Sequence, residues 1–257
     1  MKKTLIALAV AASAAVSGSA MAWTANGNGS SVELGGTLTP TDVITPWEVK
    51  TGAAVTGLDA QIQKGQKVVN ITVNKAIPVL GIRTVEKTAF QGQPGIAPQI
   101  DYQGAINIDE FKSNVATLTI DVKSSVDSGK IGTLSAPLLA VAEYSVNGPK
   151  AHHRYNVIAN TEGQAFFGGL PKDSSASGYE WDASDLDPEF NVNYDTQGVQ
   201  WAGYGANTFA STEHTYSGYY GSGIKSGQTI KIKLDQAASG DAPIQWKASL
   251  PVTVTYM

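Results

Sequence analysis

Residues 29–40, GSSVELGGTLTP, read as a β-strand from which one large residue is missing. Val32, Leu34 and Leu38 share one face at the two-residue period of a strand, and the position between the last two is Gly36. No Asn-Gly or Asp-Gly turn follows to fold the strand back as a hairpin. The strand therefore calls for a partner that is not its neighbour in sequence.

What precedes it reads as an export signal. Lys2 and Lys3 supply a positive end, residues 5–16 are almost wholly small or apolar, and Ala20-Met21-Ala22 has the small-x-small pattern of a cleavage site. Residues 1–22 are expected to be removed, so that the mature chain starts at Trp23. The apolar run is shorter than the roughly 18 to 20 residues a spanning helix needs, and no other run approaches that length. The mature chain is expected to be soluble and exported.

Two of the 18 basic residues lie in this segment, leaving 16 against 22 acidic residues, a net charge of −6. That balance argues against nucleic acid as a partner. The chain has no cysteine, so it has no disulfide framework, thiol catalyst or metal-thiolate site. Burial and backbone pairing must supply its stability.

The rest of the chain punctuates itself into short extended segments. Residues 67–73 place Val69, Ile71 and Val73 on one face, residues 117–122 alternate in the same way, and in residues 228–234 (QTIKIKL) apolar and charged residues take strict turns. Residues 79–85, 134–142 and 251–256 are further candidates, rich in Val, Ile, Leu and Thr. No long amphipathic helix is found, and 27 glycines with 11 prolines suit a turn-rich chain. The expected fold is all-β, a sandwich of immunoglobulin type. Residues 244–257 run apolar and alternating to the end, with Val252, Val254 and Tyr256 on one face, where chains usually fray into polar residues. A plain terminal core strand is one reading. A chain strand-like at both ends can also supply a strand at one end and present an edge at the other.

At this point the chain resembles the FaeG-like major subunits of enterobacterial adhesive fimbriae of the chaperone-usher pathway. The resemblance rests on the signal MKKTLIALAVAASA, on Val32 to Leu38, and on the penultimate Tyr256. It extends through Trp47-Glu48-Val49-Lys50, Leu80-Gly81-Ile82-Arg83-Thr84, residues 96–104, Phe166-Phe167-Gly168-Gly169-Leu170 and residues 222–230, and is weakest between 151 and 219. It implies an incomplete immunoglobulin-like sandwich, lacking its last strand, that is completed by donor-strand exchange. Residues 23–42 would be the donor extension, and residues 43–257 the pilin domain with a loop-rich inserted subdomain at about 145–222. Val32, Leu34 and Leu38 would enter the groove of a neighbouring identical subunit, with Gly36 where that groove is shallow. A periodic arrangement of head-to-tail contacts makes an open filament. The resemblance also implies a periplasmic chaperone paired to the strand carrying Val252, Val254 and Tyr256, an outer-membrane usher, and display on the cell surface. One departure is that the position about 14 residues from the end, glycine in many pilins, is Ile244, with Gly240 nearest.

Residues 155–220 hold 13 of the 21 aromatic residues, separated by Gly, Ser, Asn and Asp, with little regular alternation. This reads as long loops or an inserted subdomain. Sugars suit aromatic faces flanked by polar groups, and the family binds host glycoconjugates through its major subunit. The candidate glycan site is therefore Tyr179, Glu180, Trp181, Asp182, Asp185, Trp201 and Tyr204, with Trp181 as the platform. Phe166, Phe167, Phe190 and Phe209 are assigned instead to packing, because phenylalanine has no polar edge. Tyr219 and Tyr220 stay open between the two roles.

No other chemistry emerges. His152, His153 and His214 have no carboxylate pattern around them and read as loop residues, and Asp182, Asp185 and Asp187 lack the glycine and distal glutamate of a calcium loop, so no metal or other cofactor is expected. Residues 221–228 lack the Gly-Lys-Ser/Thr phosphate cradle and read as a turn before a strand. There is no nucleophile elbow. A glycosidase needs only two carboxylates, so motifs alone leave that class open, but the chain is read as a non-enzyme. The alternatives to an adhesive shaft subunit are a purely structural shaft subunit with a separate tip adhesin, and a secreted lectin.

Overall fold

Alternation of apolar and polar residues dominates the folded chain, as the burial of Ile230, Ile232 and Leu234 between exposed Thr229, Lys231 and Lys233 illustrates. The computed structural model describes residues 25–26, 34–39, 44–178 and 182–257. It divides into two units, Met1–Val43 and Ile44–Met257. The expected signal, residues 1–22, lies outside the described residues.

The second unit is all-β. Its strands are β1 (Trp47–Thr51), β2 (Val68–Thr72), β3 (Ile77–Thr84), β4 (Phe90–Gln91), β5 (Pro98–Asp101), β6 (Val115–Ser124), β7 (Lys130–Gly148), β8 (Ala151–Val157), β9 (Gln200–Gly205), β10 (Thr215–Ile224), β11 (Thr229–Leu234), β12 (Trp246–Ala248) and β13 (Thr253–Tyr256). Three single 3-10 turns, Ile108–Glu110, Ser174–Ala176 and Ala183–Asp185, complete the elements.

The 19-residue β7 organises the sandwich, because its two halves have different neighbours. The first half lies between β6 and β11, with β12 beyond β6 and β2 beyond β11. From Leu139 onward it lies beside β10, then also β8, with β3 and β1 beyond β10 and β9 beyond β8. Every pairing is antiparallel except that of β8 with β9. Residues 138–142 at the crossover are buried on both faces, as expected where a strand passes from one layer to the other. The main core holds Leu80, Ile82, Leu118, Leu138, Ile230 and Ile232, with an aromatic hub in which Trp47 contacts Phe90, Phe166 and Phe209 at centroid distances of 5.2, 5.7 and 5.3 Å. Phe166 and Phe209 hold left-handed backbones, φ 62° and 55°, a conformation costly for a bulky residue. Their burial in the hub over-determines it.

Three sequence expectations change here. Tyr216, Tyr219 and Tyr220 do not lie in loops: they are buried in β10, a central strand of the second layer. Gly221 and Gly223 belong to the same strand, and the turn before β11 is confined to residues 225–228. Regular strand structure therefore runs further into the 145–222 region than its composition implies, with β7 continuing to Gly148 and β10 resuming at Thr215. His152 and His153 likewise stand on a strand, β8.

Candidate functional site

The first site is an edge. Along residues 246–256, side chains alternate without a slip, and Trp246, Ala248, Leu250, Val252, Val254 and Tyr256 all pack against the main core. None of the six is fully buried, in contrast to the equivalent positions of β11. The backbone explains the half-cover. β12 pairs only with β6, and β13 only with β5, so among the described residues neither strand has a second neighbour.

The direction of the hydrogen bonds identifies the free side. Met257 N donates to Ala97 O (3.1 Å), Ala97 N donates to Met257 O (2.9 Å), and Ser125 N donates to Gln245 O (3.0 Å). Odd-numbered residues of this segment thus turn their backbone groups toward β5 and β6. The even-numbered residues, whose side chains face the core, turn theirs to the open edge. Residues 53–64, linking β1 in one layer to β2 in the other, form no strand, and Leu58 and Ile62 there also touch the core while partly exposed.

In the first unit, Leu34 is 93% and Leu38 96% exposed, and a side chain at Gly36 would meet nothing within 4 Å. Val32 lies outside the described residues. Two large apolar side chains in water, four residues apart in a short segment, are the converse of the open edge: apolar surface without a core, where the edge is a core without a cover.

The second site is the outer face of the layer formed by β1, β3, β10, β7, β8 and β9. Residues 183–194 lay a small separate core on it, in which Ala183, Leu186 and Phe190 pack with Leu139, Val141 and Tyr219. Glycines make room: a Cβ at Gly81 would lie 2.3 Å from the Phe190 ring, one at Gly221 2.7 Å from Ala183 Cβ, and one at Gly223 3.1 Å from Leu186. Beside this layer, Glu143 accepts from Arg154 (2.6 Å) and from the Tyr194 hydroxyl (2.7 Å). Burial, then the Glu143 charge, pushes the Tyr194 phenol well above its ordinary range, so it stays a donor.

The sequence model of a family described as "Fimbrial, major and minor subunit" matches residues 1–257. The chain belongs to this family of fimbrial subunits. The subunit is 30% identical to the F41 fimbrial protein of Escherichia coli, 30% identical to K88 fimbrial protein AC and 31% identical to K88 fimbrial protein AB of the same organism, in each case over the whole length of both chains. It is thus a structural component of surface fimbriae that assembles with other subunits, and not an enzyme.

On this fimbrial subunit the residues expected to bind glycan are spread over two elements. Tyr179, Glu180 and Trp181 lie outside the described residues. Asp182 caps the turn Ala183–Asp185, accepting from Ser184 N (2.8 Å) and Asn191 Nδ2 (2.7 Å), and Asp185 lies 3.5 Å from Lys225 Nζ. Trp201 and Tyr204 sit together on β9, in register with Arg154 and Asn156 of β8. The Trp201 indole donates to Asn156 Oδ1 (2.7 Å), and the side chain is 42% exposed. Phe166, Phe190 and Phe209 are fully buried and Phe167 half-buried, matching their assignment to packing. A hollow of about 820 Å³ is lined by Asn70, Asp109, Lys112, Ser135, Pro137 and Lys231 among others, with no aromatic ring in its lining. What sequence reasoning missed was the group around Trp201: Arg154, Asn156 and Glu143 are unremarkable in sequence and meet only because β8 joins β7 to β9.

Proposed function

We propose that this fimbrial subunit polymerises by donor-strand exchange. Residues 1–22 are removed on export, residues 23–42 form the donor extension, and the extension lies along the open edge of β12 and β13 in the next subunit. The observation that carries this reading is the unbroken row of six core-facing, half-covered side chains beside a backbone edge that is unpaired among the described residues. A strand added there would cover the row and take up its donors and acceptors at once. Burying Leu34 and Leu38 with Val32 stabilises by roughly 5 to 9 kcal/mol before ordering costs, comparable to the stability of a whole domain. Without a donor, such an edge aggregates, which is the physical reason for a periplasmic chaperone on the strand of Val252, Val254 and Tyr256 and for hand-over at an outer-membrane usher.

The test compares the full mature chain with a chain starting at Asp42, both co-expressed with chaperone and usher. Fibres from the first and chaperone-bound monomers from the second support the reading. Fibres of equal length from both would overturn it.

The same fibres are proposed to bind host glycans, with Trp201 as the stacking face and Asn156 and Arg154 as its polar neighbours. Repetition along a polymer would raise avidity for a weak single site. A second reading, a purely structural shaft with a separate tip adhesin, draws support from the burial of six of the rings in the aromatic-rich region, Phe166, Phe190, Phe209, Tyr216, Tyr219 and Tyr220.

A further inference from the structure

The charge of this subunit is unevenly placed. The chain carries 18 basic against 22 acidic residues, a net charge of −4, yet one face of the sandwich is basic. It is the outer face of the five strands that run in the order β2, β11, β7, β6 and β12. Exposed on these strands are Lys231 and Lys233 of β11, Lys123 of β6 and Lys247 of β12, with Lys130 at the start of β7. Asp121 is the one carboxylate on the five strands, and Lys130 holds it at 2.6 Å. Lys50, Arg83 and Arg154 of the other layer each have a carboxylate of their own. On this face Lys123, Lys231 and Lys233 have no side-chain hydrogen bond or ion pair among the described residues, and Lys247 reaches Ser128 Oγ at 3.0 Å.

The lysines are placed against their own repulsion. Lys123 is directly opposite Lys247 on one side and Lys130 on the other, and like charges opposed across strands destabilise a sheet. Between the lysines stand hydroxyl and amide groups. Lys231 is opposite Ser135 and Asn70, Lys233 is opposite Thr133, and Ser135 is opposite Thr119. At one end the face deepens into the hollow of about 820 Å³, where Lys231, Ser135 and Asn70 meet Thr117 and a further ammonium, that of Lys112, which also has no side-chain partner among the described residues. Of the two carboxylates in that lining, Asp109 is held by Lys172, and Glu110 accepts from Asn107 Nδ2 at 3.2 Å.

We propose that this face binds an anionic polysaccharide, with sulfate or carboxylate groups on the lysines and sugar hydroxyls on the grid of Thr, Ser and Asn side chains. The site is separate from Trp201, which lies on β9 beside β8, and it rests on neither the donor-strand reading nor the assignment of Trp201. Chemistry selects the occupant. A protein interface has an apolar centre and is poor in lysine, the reverse of what this face offers. Single-stranded nucleic acid calls for aromatic stacking, and no ring occupies an exposed position on the five strands. A second copy would have to offer acidic surface, but its run from Asp182 to Glu189 is already engaged by Lys50, Lys225 and Asn191. A polyanion supplies the counter-charge that the row of Lys123, Lys130 and Lys247 lacks. Five strands at about 4.8 Å give it a bed roughly 19 Å wide. Repetition along a fibre multiplies a weak contact.

The test passes fibres of the full chain over immobilised heparin, which is sulfated, polygalacturonate, which is carboxylated, and dextran, which is neutral, across a salt series. Retention on one or both polyanions and none on dextran is expected, and the pattern identifies the recognised group. Lys231→Ala with Lys233→Ala, and separately Lys123→Ala with Lys247→Ala, should weaken retention about tenfold or more and flatten its salt dependence. Lys87→Ala with Lys150→Ala makes the same change of charge away from this face and should leave retention as it was. Lys123→Thr should weaken retention and raise the melting temperature by about 1–3 °C, because a cross-strand repulsion goes with it. No retention of wild-type fibres on either polyanion at about 50 mM salt would overturn the proposal. So would equal loss in the Lys87 and Lys150 variant, which would reduce the effect to net charge. Loss through Trp201→Ala with the lysine variants unaffected would move the polyanion to β9. Lysine variants that lose side-by-side association of fibres but keep heparin binding would make a second copy the occupant.

Discussion

Phe190 lies against the backbone of Gly81, so close that a methyl group at Gly81 would fall 2.3 Å from two ring carbons. The same ring would lie 2.8 Å from a methyl group placed on Gly221 of the neighbouring strand. Glycine in the middle of β3 and β10 is thus a packing device that seats residues 183–194 on the sheet, at the expense of strand propensity.

Gly81→Ala is expected to destabilise the subunit by about 1–3 kcal/mol, as overpacking does, although alanine is the better strand residue. Thermal unfolding of the chaperone-complexed or donor-complemented chain reads the loss, at about 2–4 °C per kcal/mol for a domain of this size. Phe190→Leu in the same chain should recover part of it. An unchanged melting temperature in Gly81→Ala would show that Phe190 moves freely off the sheet.

Lys50 of β1 joins Asp187 (2.7 Å) and Glu189 (2.6 Å), tying this outer layer to the sheet edge. Burial pushes the Asp187 carboxyl up, but the Lys50 hydrogen bond and the Glu189 amide together hold it below its ordinary value. Hydrogen bonds to Asp187 and Glu189 raise Lys50. The Asp187 contribution is therefore present above the unfolded carboxylate value, about 4, and is lost as pH falls through the lower folded value. The Lys50 contribution is complete below about 10.5 and is lost as pH rises through its raised folded value. Urea midpoints of wild type minus Lys50→Met should form a plateau between those limits and decline on both sides. A difference curve flat from pH 2.5 to 11.5 would mean that the triad adds nothing.

Inside the sandwich, the Tyr102 hydroxyl bridges Tyr220 (2.8 Å) and Ser222 (2.6 Å), and Tyr220 also donates to Gly169 O (3.2 Å). Burial pushes Tyr102 up to about 12. Since the unfolded chain ionises near 10 and the native site holds its proton longer, stability contributed by Tyr102 is full below pH 10 and drains away toward 12. Tyr102→Phe should cost about 1–3 kcal/mol at pH 7 by orphaning a buried hydroxyl partner, and should blunt alkaline unfolding in that window. Matching alkaline profiles for the two proteins would assign the transition to other groups.

Trp201→Ala should lower glycan binding of intact fibres at least tenfold on a sugar array, with fibre yield unchanged, because the ring is exposed on an edge strand. Asp182→Ala should act differently, costing about 1 kcal/mol of stability by removing the cap of Ala183–Asp185 while sugar binding survives in whatever protein folds. If Asp182→Ala abolished binding in well-folded fibres and Trp201→Ala did not, the sugar would belong to the turn and not to β9.

The all-β class, most strand positions and the strand-like alternation at the chain's end were legible in sequence, because two-residue periodicity is a local property that records which face is wet. β10 was not legible. TYSGYYGSGI alternates poorly and carries three glycines, since both its faces are covered: Gly221 and Gly223 make room on the second face for Ala183, Leu186 and Phe190, which pack there with Tyr219. Asp182 and Trp201 show the same limit from the side of the site: each suits a sugar by composition, yet Asp182 is occupied as a cap and Trp201 is joined to Asn156.

By itself, the sequence determined the alternation in residues 246–256, the gap at Gly36 and the absence of a turn to fold residues 32–38 back on themselves. It could not separate β11 from β12 and β13, whose patterns are alike. Tertiary structure decided that β11 lies between β7 and β2 with its core-facing side chains buried, whereas β12 and β13 have one neighbour each among the described residues and leave their own core-facing side chains half-covered. Periodicity assigns a face to each residue, but only the long-range pairing of strands assigns each edge a partner, and here one edge has none among the described residues.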